Sequence, residues 1–210
     1  MLALFLSAFA TLFVVIDPPG CAPIYAGLTA SATSRQAAVM AVRACVIATG
    51  ILVVFALFGE DLLGALHIEL DSFRIAGGIM LFLIALDMVF EKRTERREER
   101  AEKVRTAQSQ GQPHVEDVSV FPMAMPMLAG PGSIASVMLL TARAHGLPET
   151  LVILAALGAV MVLSFIALVA ARPLIRLLGS QVEAVITRLL GVLLAALAAQ
   201  YVIDGIHAQF

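Results

Sequence analysis

Apolar residues run through this chain in long stretches, with no alternation at the period of a strand or of a half-buried soluble helix. Four stretches, 37–59, 73–90, 150–171 and 184–203, come close to the ~20 residues that carry an α-helix across a bilayer core. Two more, 2–29 and 118–140, carry helix breakers, the first at Asp17-Pro18-Pro19-Gly20 and the second at Gly130-Pro131-Gly132. Counting both predicts an all-α membrane protein of six transmembrane helices, with a charged loop, 91–117, between the third and the fourth. The segment 1–16 lacks a basic leader and a small-x-small cleavage site, and apolar character resumes beyond the break. It reads as the first half of span one and not as a signal peptide.

Composition sharpens this. Of 210 residues 60% are hydrophobic and 14% charged, where a soluble domain runs near about 25% charged. Of the 30 charged residues, 14 fall within 91–117, seven acids and seven bases, so the remainder is more lipid-like still. That loop reads as an extension of span three followed by a flexible linker. A net charge of -2 provides no basic field for nucleic acid. Cys21 and Cys45 have no CxxC spacing and read as small packing residues. His67, His114, His145 and His207 fall in loops or tails without ligand spacing, so no metal or cofactor is expected. Nucleotide loops, HExxH and a supported Ser/His/Asp arrangement are missing from the sequence, which speaks against an enzyme.

Lys and Arg set the expected orientation. Arg35, the seven bases of the long loop, Arg172 and Arg176 fall on one face; Arg74 and Arg143 fall on the other. Ten against two places the long loop in the cytoplasm and both termini outside.

A weak internal repeat supplies the architecture. Shifted by 112, Phe9 meets Phe121, Pro19 meets Pro131 and Gly20 meets Gly132; shifted by 114, Arg74-Ile75-Ala76-Gly77-Gly78 meets Arg188-Leu189-Leu190-Gly191-Val192. Residues 1–90 and 118–210 therefore form two three-helix halves. Because each half has an odd number of spans, the second enters the membrane inverted, a plan shared by many secondary transporters. Helices one and four are broken at matching places. Unsatisfied backbone survives in a membrane only where protein or a polar cavity covers it, and a restarting helix points free amides into that space. The breaks thus predict one midplane site between the halves, built from Asp17, Pro18, Pro19, Gly20, Pro23, Gly130, Pro131, Gly132 and Ser133. The rival reading is a pair of kinks that only shape packing.

The run Leu12-Phe13-Val14-Val15-Ile16-Asp17-Pro18-Pro19-Gly20-Cys21-Ala22-Pro23, followed by Leu28-Thr29, and the run Pro126-Met127-Leu128-Ala129-Gly130-Pro131-Gly132-Ser133-Ile134 resemble the MarC family of bacterial inner-membrane proteins. Arg74-Ile75-Ala76-Gly77-Gly78, Leu86-Asp87-Met88 and the closing Gln200-Tyr201-Val202-Ile203-Asp204-Gly205-Ile206 fit as well. Cys21 departs from the Asn of many members. The resemblance implies an association with antibiotic resistance by name and with neutral amino acid transport by grouping, and Asn or Asp at position 17.

Among the remaining polar residues, Asp17 is either a functional intramembrane acid or the N-cap of the restarting helix, and the roles are compatible. Its repeat partner is Ala129. Asp87 reads as an interfacial or paired acid or as a gate. Arg43 reads as a snorkelling base or as its ion-pair partner. Gln200 is deep and needs a partner within the bundle; Asp204 reads as interfacial. Arg43, Asp87 and Gln200 are the gate or coupling candidates. Thr33-Ser34-Arg35-Gln36 fits a capping box opening span two. The expected function is alternating-access transport of a small solute, neutral amino acids first, with H+ or Na+ as coupling ion and room for a homo-oligomer. A membrane scaffold or stress-response component, or an exporter of another small molecule, is the alternative.

Overall fold

The computed structural model describes residues 1–90 and 117–209, and only the backbone for 172 and 174–184. The loop 91–117 therefore lies outside the described residues except for Asp117. All described elements are helical.

The first apolar stretch forms two helices, α1 (Leu2–Ile16) and α2 (Pro18–Leu28), with Asp17 between them in the left-handed region at φ 57°, ψ 65°. Among residues with a Cβ, Asp and Asn enter that region most readily, because a short polar side chain bonds locally. Here Asp17 Oδ1 accepts from the Gly20 amide at 3.2 Å. Pro18 and Pro19 occupy the first turn of α2, where a missing N–H is least costly. Together α1 and α2 are 27 residues long and apolar enough to cross a membrane.

Helix α3 (Ser34–Ala65) opens on the expected capping box. The Gln36 amide donates to Thr33 Oγ1 at 3.3 Å and the Thr33 amide to Gln36 Oε1 at 2.9 Å. It continues past Gly59 through the exposed Glu60 and Asp61, a correction to the boundary read from hydropathy. Hydropathy marks where the chain leaves lipid, whereas a helix stops where its backbone does, here before His67 at φ 57°. Helix α4 (Leu70–Val89) matches the third stretch.

The fourth stretch differs most from expectation. The segment α5 (Ser119–Leu128) is coiled but irregular, with Phe121 and Met125 extended at φ -130° and -129°. Both precede a proline, Pro122 and Pro126, through cis peptide bonds. A residue before proline is pushed out of the helical region, so the chain is interrupted well before Gly130. Helix α6 (Pro131–Ala142) then restarts at 53° to α5. Helix α7 (Leu147–Val169) follows, and α8 (Ala171–Gln209) is one helix of 39 residues. A loop containing Arg172 and Arg176 was expected between spans five and six; both instead lie on the first turns of α8.

Among the described residues five helical segments, with α1 and α2 taken as one, are long and apolar enough to span a membrane, or six when α5 and α6 count as one bent span. Their packing is specific. Helix α4 lies along α8, α1 packs on α6 and α7, α2 on α7 and α8, and α3 on α5, α6 and α7. The larger apolar core gathers Leu12, Ile16, Tyr25, Leu52, Ile153 and Leu157; the second gathers Val15, Leu81, Met88, Leu139, Leu194 and Tyr201. Large apolar side chains also point outward, among them Val46, Val54, Phe58, Leu83, Leu163 and Leu193. An apolar surface this extensive is costly in water and neutral against lipid tails.

Candidate functional site

Asp17 is 1% exposed, so a carboxylate sits at the middle of an apolar span. Gly20 explains how it fits. A Cβ on Gly20 would lie 2.2 Å from Asp17 Oδ2 and 2.8 Å from Cγ. The carboxylate thus fills the space a side chain at position 20 would take, and it caps the Gly20 amide, since Pro18 and Pro19 have no N–H and the Cys21 amide donates to the Asp17 carbonyl oxygen at 3.1 Å.

The second break is capped differently. Gly130 is the residue before α6 and makes no side-chain cap. A Cβ there would come within 2.5 Å of the Pro126 carbonyl oxygen, so the close turn from α5 admits glycine alone. A Cβ on Gly132 would meet Ile84 Cδ1 at 2.6 Å, Val15 Cγ1 at 3.4 Å and Leu81 Cδ2 at 3.5 Å. Val15 lies two residues before Asp17, at the end of α1, so the two broken stretches meet, with α4 closing over them. Pro18, Gly20, Gly130, Gly132 and Ser133 are buried, Pro19 and Pro23 half-buried, and Pro131 exposed.

The three gate candidates are not gathered here. Arg43 is paired not with Asp87 but with Asp117, Nη1 to Oδ2 at 2.6 Å. The reason is topological: α3 packs on α5, α6 and α7, which carries Arg43 to the start of α5. Ser119 beside Asp117 and the Arg43 guanidinium hold the Asp117 carboxyl below the usual carboxylate range. Asp87 is half-buried on α4. Gln200 is exposed and donates to Asp204 Oδ1 at 2.6 Å on its own helix, so its partner is one turn away and not across the bundle. Residues i and i+4 share a face, a signal the sequence already held.

Sequence reasoning passed over one further cluster. Arg143, just past α6, bonds Asp204 Oδ2 of α8 through Nη2 at 2.6 Å, and its guanidinium lies 5.0 Å from the centre of the Tyr201 ring. Arg74 bonds Asp71 Oδ1 at 2.7 Å on α4 nearby. Opposite charges at the matching ends of spans four and six were the available signal. Among the described residues no group of three His, Cys, Asp or Glu side chains could hold a metal ion.

The family model described as MarC family integral membrane protein matches residues 2–210. The chain is 32% identical over 203 residues to a UPF0056 membrane protein of Methanocaldococcus jannaschii, covering 97% of this chain and 96% of that one. It is 32% identical over 207 residues to the UPF0056 inner membrane protein YhgN of Escherichia coli (strain K12), covering 96% and 95%. It is 30% identical over 210 residues to the UPF0056 membrane protein YvbG of Bacillus subtilis, covering 100% and 97%. No solved structure matches. With its apolar helices and a match along nearly its whole length, the chain belongs to the MarC family of integral membrane proteins.

Proposed function

We propose that this protein is a secondary transporter of small solutes in the inner membrane, with neutral amino acids as the first substrate class. The observation that carries the reading is Asp17: an acid buried within a span, at a helix break, two residues from Val15, which lies against Gly132 of the second broken stretch. Intramembrane acids are rare and mark solute pathways. In this mechanism the amides at Gly132 and Ser133 receive a carboxylate, Asp17, held by the Gly20 amide, faces the ammonium group, and the Ile84 side chain moves off Gly132 to admit the solute. H+ or Na+ supplies the coupling. No chemical conversion is assigned to the chain.

An inverted repeat is the proposed framework. The contacts of α1 on α7 are matched by α5 on α3, those of α2 on α7 by α6 on α3, and those of α2 on α8 by α6 on α4. The pairs α3–α7 and α4–α8 map onto themselves. This exchange is what a two-fold axis in the membrane plane, relating 1–90 to 118–210, would produce. With the ten-to-two excess of Lys and Arg on one face, the proposed orientation has the long loop in the cytoplasm and both termini outside. Cysteines placed at Ser31 and Ala208, in a chain whose Cys21 and Cys45 are replaced by Ala, should label from opposite sides of sealed vesicles. Labelling of both from one side overturns the inverted plan.

The second reading, a scaffold without transport, is favoured by the apolar side chains packed over Gly132. Flux of labelled neutral amino acids into vesicles reconstituted with the protein, with and without proton and sodium gradients, separates the two. Gradient-dependent uptake above protein-free vesicles is expected, and none under any gradient leaves the scaffold.

A further inference from the structure

At the opposite end of α3 from Gly59, a cavity of about 310 Å³ is lined by Arg35, Gln36, Val39, Met40, Arg43 and Asp117. Its two arginines are eight positions apart on one helix, two turns or ~12 Å at 1.5 Å per residue. Arg35 has neither a hydrogen bond nor an ion pair with another described residue. Arg43 uses Nη1 for Asp117, and the rest of its planar fork offers further donors suited to a phosphate. With one acid against two bases the cavity carries a net positive charge.

The surface beneath it is apolar. Val39 and Val42 are each 46% exposed and Val46 is 64% exposed, a stripe along the same side of α3. Arg43, with a side chain 60% exposed, sits within that stripe. A small anion would use the arginines and ignore the valines; a ligand with an anionic head and an apolar tail uses both. We propose that this cavity binds the phosphodiester headgroup of an anionic phospholipid, whose acyl chain lies along Val39, Val42 and Val46. The site is separate from the Asp17 break and does not depend on what the protein transports.

The test is lipid retention by the full-length protein, read by native mass spectrometry after detergent extraction from vesicles of equal phosphatidylglycerol and phosphatidylcholine with identical acyl chains. Wild type should retain phosphatidylglycerol in preference. Arg35→Gln and Arg43→Gln should each lower that retention by on the order of tenfold, the worth of a charge-assisted hydrogen bond. Asp117→Asn should raise it, because it removes the competing acid; a fall would mean that the ion pair merely builds the local structure, and overturns the proposal. Equal retention of both lipids by wild type also overturns it. So does displacement of phosphatidylglycerol by millimolar inorganic phosphate, which would identify a free-anion site. Changing the six glutamates of 91–116 to Gln tests this chain's own loop as occupant. Arginine-dependent lipid retention that appears only in that variant assigns the cavity to the loop instead. Arg35 is exposed, so its variant keeps the fold; an unchanged melting temperature verifies this.

Discussion

Asp17→Ala should abolish flux of labelled neutral amino acid in reconstituted vesicles while folded protein stays in the membrane, and Asp17→Asn should keep part of it. The acid has two duties that substitution separates. As a cap it accepts from the Gly20 amide, and losing such a cap costs about 0.5–2 kcal/mol. Asn preserves this bond and also tolerates the left-handed backbone at φ 57°. In the proposed transporter it would also present charge to the solute, which Asn cannot. Gly20→Ala provides an independent probe. Its Cβ would fall 2.2 Å from Asp17 Oδ2, so the carboxylate must leave its position, and the variant should behave like an Asp17 variant without touching Asp17. In an Asp17→Ala background the same change meets no carboxylate. There it should be neutral or stabilising by up to about 1 kcal/mol, as Gly→Ala is inside helices. A double-mutant cycle on melting temperature and flux should therefore give a coupling on the order of 1–3 kcal/mol. Full flux in Asp17→Ala leaves the acid as a cap alone, and additive effects would separate Gly20 from Asp17.

How much of this was legible depended on the range of the interaction. Span positions were readable because lipid demands apolar side chains over whole helix surfaces. The capping box at Thr33 and Gln36 was readable because both partners lie within one turn. Asp17 as a cap was readable for the same reason. Pro122 and Pro126 gave an equally local signal, since each forces the residue before it out of the helix; breakers at Gly130-Pro131-Gly132 drew attention from them. Arg43 is the contrasting case. Its partner is 74 positions away and depends on α3 lying beside α5 and not α4, which no local pattern encodes. Likewise, the glycines of α4 and α8 stood in the sequence as a weak repeat, and only helix packing gives them a physical reason.

That packing sets the other large effect: Gly78→Ala and Gly191→Ala should each destabilise the protein by about 1–3 kcal/mol, the range for overpacking a filled interface, whereas Gly50→Ala should not. A Cβ on Gly78 would lie 2.7 Å from Val202 Cγ2, 2.9 Å from the Ala198 carbonyl oxygen and 3.0 Å from the Val202 amide nitrogen. Two of these neighbours are backbone and cannot rotate away. Gly191 faces α4 in the same manner, at 2.9 Å from Met88 Cβ and 3.2 Å from the Ala85 carbonyl oxygen, and Gly205 meets Asp71 and Ile75. The contacts run antiparallel, and Gly191, Ala198 and Gly205 recur every seven residues on α8 opposite Gly78 and Ala85 on α4. Small residues at such spacing let backbones approach where no hydrophobic force drives helices together in lipid. Gly50 has nothing within 4 Å of its missing Cβ, so Ala there adds helix propensity and no clash. Val202→Ala should recover only part of the Gly78→Ala loss, because the backbone contacts remain. Melting temperatures of the purified variants in one detergent decide the matter. If Gly78→Ala and Gly50→Ala melt together, α4 and α8 are not closely packed, and the self-matching pair at the centre of the proposed repeat loses its physical basis.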